Sequence, residues 1–423
     1  MTVLAPPDAS PGGSDRESYW SLTLVSLRYR DFRLVWLGSM TEHIGEFMEI
    51  AAILWLVNQL THSPLMLTVV TAARFIPMMI LPIIAGVAAD RVNRRSLLMM
   101  ALLGSGFLSL CLSLLVASGL VVVWHLILMG LLSGVAMSFN HPARQTILPN
   151  LIEKKHLLNA ISLDFISVLA ARMVGMALAG YLMVLIGLWP IFVMRALGCI
   201  FAVLWLRLAR IPPTPSSAKK TTAGQSLVEG FHYLRSNPVI LGLVVLYLIP
   251  WLTGNTFSSF LPVFANDILR VGAVGYGYLQ ASPGLGALIG LIGLTFFTYY
   301  KSKPRLLVGS GITMGLGLIG FSASTWPFLS LPFLMVIGAM QTVFSTVNTT
   351  IIQGLAPDEL RGRIMSWREV AFGLGPTGGI IFGAIAQATG VQISLGILGI
   401  VVIIPSLFLV AWLSRFHEMG IDS

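Results

Sequence analysis

Twelve runs of about twenty predominantly apolar residues, parted by short polar gaps, constrain this chain more than anything else in it. They cover 33–58, 65–88, 96–117, 121–142, 157–186, 190–209, 238–264, 274–298, 305–323, 327–351, 366–388 and 391–413. At about 1.5 Å per residue, such a run crosses the roughly 30 Å of a bilayer's hydrocarbon. Backbone in lipid has no water to bond to, so these runs must be helices that satisfy their own N–H and C=O groups. Composition agrees: 56% of the 423 residues are hydrophobic and 10% are charged, against about 25% charged in a soluble domain. The predicted fold is an all-α polytopic membrane protein of twelve transmembrane helices, with the lipid bilayer as its solvent.

One gap is long. Residues 210–237, IPPTPSSAKKTTAGQSLVEGFHYLRSNP, carry Pro, Ser, Thr and Lys and read as a linker with a short amphipathic helix around Leu227–Leu234. They divide the chain into a six-helix bundle over 33–209 and a second over 238–414, with tails at 1–32 and 415–423. Residues 1–32 lack the apolar stretch of a signal peptide. Lys and Arg fall in alternate gaps, at Arg91, Arg94 and Arg95, Lys154 and Lys155, the linker, Lys301 to Arg305, Arg361 and Arg363, and Arg415. The other gaps hold only Arg270, so both termini are expected on the cytoplasmic side of the plasma (inner) membrane. The net charge of +9 lies in these gaps without interleaved aromatic residues, which argues against nucleic acid as a partner. Cys111 and Cys199 sit inside apolar runs and form neither a disulfide framework nor a metal-ligand spacing.

A repeat supports the partition. NLIEKKHLLNAISLDFISVLAARMVGMALAG (150–180) lies on GLAPDELRGRIMSWREVAFGLGPTGGIIFGA (354–384) without gaps, bringing Ser162 to Ser366, Gly175 to Gly379 and Ala179 to Gly383. In each half the match covers the connection from the fourth to the fifth helix, and parallel six-helix halves are a transporter architecture.

Between the second and third spans stands GVAADRVNRR (86–95). Basic residues there are ordinary anchors to an anionic leaflet, but the combined G-x-x-x-D-R-x-x-R-R pattern resembles the cytoplasmic loop signature of the major facilitator superfamily. LTHSPLMLTVVTAARFIPMMILPIIAGVAADRVNRRSLL, NHPARQTILPNLIEKKHLLNAISL and PDELRGRIMSW are similar to its bacterial efflux branch, which includes enterobactin and macrolide exporters. The resemblance runs from about residue 30 to about 415. It implies that Gly86, Asp90, Arg91, Arg94 and Arg95 form a gate-stabilising loop. The counterpart LTFFTYYKSKPRLL keeps basic residues but no Asp-Arg pair, so the two halves are not expected to gate symmetrically. ARMVGMALAG and GLGPTGGIIFG resemble the glycine-rich motif of drug/proton antiporters, the first without its proline; small residues that let helices pack closely account for them equally.

Charge at the centre of a span costs about 2.5–3.5 kcal/mol on insertion scales. TEHIGEFMEI nevertheless places Glu42, Glu46 and Glu49 at i, i+4 and i+7, one stripe of the first span. The resemblance turns that stripe toward a central cavity. Neighbouring carboxylates raise one another's proton affinity, as proton exchange requires; the stripe could equally attract a cation. His43 lies about 100° off it, so no metal site is expected and His43 reads as a bystander. Asp164 joins the candidate proton or substrate groups. Arg74, Arg172 and Arg195 are expected to pair with acids on other helices. Asp164 and Arg172, two turns apart, are too far to bond each other. Arg144 and Glu369, at helix ends, suggest a gate. Trp251, Asn255, Thr256 and Ser259 of the seventh span, and Gln341, Ser345, Asn348 and Thr349 of the tenth, offer polar groups either to a ligand or to neighbouring helices.

No G-x-x-x-x-G-K-[ST] loop and no nucleophile elbow occurs, so neither an enzyme nor a nucleotide or other cofactor is expected, and energy would come from a proton gradient. The reading is a secondary transporter, expected to be monomeric, that exports an amphiphilic drug-like or siderophore-like small molecule by alternating access. Proton-independent facilitation, or translocation of a lipid analogue, is the alternative; a transporter-like sensor or an intramembrane enzyme is a remote one.

Overall fold

The computed structural model describes residues 25–81, 93–211, 223–296, 303–357 and 360–417, and among them there is no strand. A 3-10 turn at Val25–Arg28 leads into α1 (Arg30–Thr61), which His62 ends in the left-handed conformation. Ser63 then caps α2 (Pro64–Ile80), its hydroxyl accepting from the Met66 N–H while Pro64 fills the first helical position, where a missing N–H costs nothing. There follow α3 (Arg94–Ala117), α4 (Val123–Ile147), α5 (Leu157–Leu185) and α6 (Trp189–Leu208). The linker carries α7 (Ala223–Ser236), at the place where an amphipathic helix is predicted. After it come α8 (Pro238–Leu246), α9 (Leu248–Val263), α10 (Gly272–Phe296), α11 (Lys303–Ala323), α12 (Pro327–Leu355), α13 (Arg361–Thr389) and α14 (Val391–His417).

Ten stretches among the described residues are long and apolar enough to cross a membrane. The first two predicted spans meet that description less fully. The 32 residues of α1 include three glutamates, and α2 has 17 described residues. The chain is thus an all-helical, multi-pass membrane protein.

The seventh predicted span is not one helix. It breaks at Tyr247 between α8 and α9 and ends in a π turn at Phe264–Ile268. Pro250 has no N–H to return to the carbonyl four residues earlier, and its ring crowds that turn. Side chains of α12 take up carbonyls around the break: Asn348 Nδ2 donates to Leu243 O at 3.0 Å, and Gln341 Nε2 donates to Pro250 O.

The repeat seen in the sequence survives in three dimensions. α5 and α13 begin and end at positions related by the same shift that aligns the sequences. Each packs on the first long helix of its own half, α5 on α1 and α13 on α9, and each also reaches across the chain, α5 to α10 and α13 to α2. Gly175 is the point of approach to α1, where a Cβ would meet Ile44 O at 2.6 Å. The hydrogen bonds that join the two halves cluster toward the end where α1 hands over to α2. Ser63 Oγ donates to Gln387 Oε1 at 2.7 Å, Thr71 and Ser259 share a hydroxyl bond at 2.8 Å, Tyr276 donates to Ala51 O at 3.1 Å, and Tyr181 meets Tyr278.

Candidate functional site

The glutamates of α1 do not form one cavity-facing stripe. All three are largely enclosed, and they divide between two helices. Glu42 and Glu49, two turns apart, close on Arg195 of α6 from either side. Arg195 Nη2 lies 2.8 Å from Glu42 Oε1, its Nη1 donates to the Glu42 carbonyl at 2.8 Å, and its Nε stands 3.5 Å from Glu49 Oε2. Ser109 of α3 also donates to Glu49, at 2.5 Å. Arg195 side-chain exposure is 4%, so this is a desolvated ion pair rather than a surface one. Gly45 makes it possible, since a Cβ there would lie 3.1 Å from the Arg195 backbone. Glu46 turns the other way and pairs with Arg74 of α2.

His43 is not a bystander. Its Nδ1 lies 3.3 Å from Glu42 Oε2 and 3.3 Å from Glu46 Oε2, while its Nε2 meets a guanidinium nitrogen of Arg144 from α4. Arg144 in turn pairs with Asp164 of α5 at 2.6 Å. An angular offset between Cα positions does not stop a long side chain from folding back along the helix, and i to i+3 is within its reach. One imidazole therefore joins the glutamate pairs of α1 to the α4–α5 pair. Four carboxylates and three guanidinium groups share this network, so one further proton would bring it to neutrality.

Glu42, His43 and Glu46 also bring ligand atoms within 4.8 Å of one another, a spacing that could hold a metal ion. The donor set fits one poorly. A cation there would have to compete with Arg74, Arg144 and Arg195, each already on these atoms. A cavity lined by Val35, Ser39, Leu98 and Asn140 reaches Glu42 and Arg144 from the α1 N-terminal end.

Of the arginines expected to pair across helices, Arg74 and Arg195 do, and Arg172 does not. Among the described residues Arg172 has no ion pair and no hydrogen bond, and its Nε is buried without a partner. The loop residues Gly86, Asp90 and Arg91, and the side chains of Arg94 and Glu369, lie outside the described part. Arg95 donates to the Arg207 carbonyl at 2.8 Å, tying the start of α3 to the end of α6.

Most polar groups proposed for α9 and α12 bond to helices. Thr256 and Ser259 donate to the carbonyls of Leu252 and Asn255, Asn255 donates to Trp251 O, and Asn348 is fully buried against α8. Thr349 donates to Ser345 O and accepts from Arg368 at 2.9 Å. Trp251, Asn255, Gln341, Ser345 and Thr349 remain half-buried. Sequence reasoning missed Ser109, Tyr276 and Gln280. Gln280 bonds Ser258 and Tyr276 and is 1% exposed; a polar residue inside an apolar run was the available signal.

The family described as transmembrane secretion effector matches residues 21–420. The staphyloferrin A transporter of Staphylococcus aureus is 23% identical over 375 residues, 87% of this chain and 90% of its own. The enterobactin exporter EntS of Shigella boydii is 26% identical over 356 residues, 82% of each chain. Among solved structures, a bacterial homolog of the human lysosomal transporter Spinster, inward-facing and unoccupied, superposes with a TM-score of 0.71 at 16% identity, covering 94% of this chain and 97% of that one. The nucleoside transporter NupG gives 0.71 at 14% identity, over 90% and 98%.

Proposed function

Because this chain belongs to the transmembrane secretion effector family, within the major facilitator superfamily, we propose that it exports a siderophore-like amphiphilic molecule in exchange for protons, by alternating access. It is a membrane transporter and not an enzyme. Kinship over most of its length with two siderophore transporters supports the substrate class. In this reading twelve helices form two six-helix bundles in the inner membrane with both termini cytoplasmic. The end sealed by Ser63–Gln387 and Tyr276–Ala51 is then the outer one, which corresponds to a state open toward the cytoplasm.

The observation that carries proton exchange is the His43 junction. A neutral imidazole can donate from Nδ1 to Glu42 or Glu46 and accept at Nε2 from Arg144. A proton added at Nε2 replaces that acceptor with a second N–H and sets two cations face to face. The contact to Arg144 must then break, and Arg144 keeps only Asp164. The same proton strengthens the hold of His43 on both glutamates. Protonation thus uncouples α1 from α4 without disturbing the Arg195 pairs. Glu46, with 13% side-chain exposure, is the carboxylate through which the proton passes, and Glu49 is held in reserve by Arg195.

The test is transport in proteoliposomes with enterobactin as probe. Flux is expected to follow an imposed proton gradient and to fall at least about tenfold in Glu46→Gln and His43→Asn, in the range of ordinary coupling energies. Flux indifferent to the gradient and to both substitutions would overturn proton exchange and leave a facilitator.

A further inference from the structure

We propose that Arg172 is the substrate's anion-binding group, an uncompensated guanidinium that receives a carboxylate or catecholate of the transported molecule between the two halves; this deepens the export reading and rests on its siderophore-like substrate. Charged residues inside membrane proteins face an interior or a water-filled space and find partners. The other intramembrane arginines of the first half obey that rule: Arg74 has Glu46, Arg144 has Asp164, and Arg195 has Glu42 and Glu49. Arg172 has none among the described residues, although its Nε is buried.

Its position says what it faces. On α5, Gly175 lies against Ile44 and Phe47 of α1, while the Met176 carbonyl and Gly180 lie against Gly277 of α10. At about 100° per residue, Arg172 points between those two contacts, about 60° from Gly175 and about 40° from Met176. The guanidinium therefore projects into the angle between the first half and the second. Along this same face the helix passes from sealed to open. Toward the outer end Met176 and Ala179 are buried; Arg172 is half-buried; toward the other end Phe165 and Ile161 are 48% and 50% exposed. Arg172 stands where this face passes from buried to exposed.

Among the described residues no acid of the surroundings is available to neutralise it. The glutamates of α1 are engaged by Arg74 and Arg195, Asp164 is engaged by Arg144, and α9, α10 and α12 contain no Asp or Glu. An organic anion entering from the exposed end of this face would supply the missing charge, with the planar fork suited to bidentate recognition of carboxylate. The apolar remainder of an amphiphilic molecule would lie along Phe165 and Met173, the latter packed against Gly284 of α10.

Binding to purified protein in neutral detergent tests this without any gradient, so a failure of proton coupling leaves the outcome readable. The probes are citrate and 2,3-dihydroxybenzoate, with uncharged 2,3-dihydroxybenzamide as control and dioleoylphosphatidylglycerol as the competing lipid anion. Wild type is expected to bind the two acids and to bind the amide at least about tenfold more weakly, the effect of losing one charge-assisted pair. Arg172→Gln should lose the acids by a similar factor and Arg172→Lys should retain part. Because Arg172 has no partner to lose, Arg172→Gln should melt no lower than wild type. The proposal is overturned if no probe binds, if acid and amide bind alike, if Arg172→Gln binds the acids as wild type does, if it melts lower as a structural arginine would, or if only the lipid competes for the site.

Discussion

α1 and α9 hold corresponding places, each packed by the fifth helix of its half, yet their interiors are built on different chemistry. α1 encloses Glu42, Glu46, Glu49 and His43, whose partners come from α2, α3, α4 and α6 and, through Arg144, α5. α9 buries Thr253, Thr256, Ser258 and Ser259, of which Thr253, Thr256 and Ser259 donate to carbonyls one turn back in the same helix. Elsewhere in the same half, α10 and α12 pack by close backbone approach: Gly286 of α10 lies on Met335 O and Gly338 of α12 on Pro283 O. Interhelical ion pairs tie packing to protonation and ligand charge, whereas hydroxyls satisfied within their own helix leave it indifferent to both. The contacts of α1 are thus the ones that a change of charge can reach.

The largest effect should come from removing Arg195. Arg195→Met leaves Glu42 and Glu49 buried without a cation, a change that ordinarily costs about 3–5 kcal/mol. A large drop in melting temperature is expected, most of it regained when Glu42→Leu and Glu49→Leu are added, since apolar replacement of a whole buried ion cluster is often neutral. Failure of the triple variant to recover would break the view that these charges stabilise one another rather than the fold.

In the second half the comparable lesion is steric. Gly286→Leu forces a side chain into Met335 O, and overpacking of this kind costs about 1–3 kcal/mol. Its melting temperature should fall by the same amount at pH 5 and pH 8. A pH-dependent loss would place a titrating group where the contrast allows none.

The architecture was legible because helices in lipid announce themselves by length and apolarity, and because the repeat that aligns 150–180 with 354–384 is a repeat of helix ends as well as of residues. The break at Tyr247 was not foreseen, although Pro250 carried the signal, since the apolar run continues unbroken through it. Which charged groups α1 carries was legible, and their pairing was not. Spacing along α1 identifies three glutamates, but which arginine each one meets depends on helices brought together from far along the chain. His43 was within reach, because i to i+3 contact with Glu46 is a property of any helix. That Arg172 goes unpaired among the described residues could be learned only from the partners that the acids near it take in three dimensions.

A third test concerns proton coupling directly. His43→Asn should reduce the response of enterobactin flux to an imposed proton gradient by about fivefold or more. Thr256→Val, in α9, should leave that response where it was. Equal loss in both would erase the difference between the halves.

The smallest effect belongs to a charged contact outside the spans. Glu153, in the connection before α5, is held below the usual carboxylate range, chiefly by its bond to Lys155 at 2.8 Å and then by Tyr29. Both charged side chains are largely exposed, so the contribution is small and screened by salt. Its sign is fixed. A carboxyl whose folded value is lowered stabilises the protein above its ordinary titration range and loses that contribution as the pH falls through the folded value. Nothing in this contact therefore changes between pH 5 and 8. Glu153→Gln should leave the difference in melting temperature between pH 8 and pH 5 as it is in wild type, and should reduce only the loss seen on further acidification. If Glu153→Gln instead reduced the response of enterobactin flux to a proton gradient as His43→Asn is expected to, the response would lie at the membrane surface and not in the network of α1.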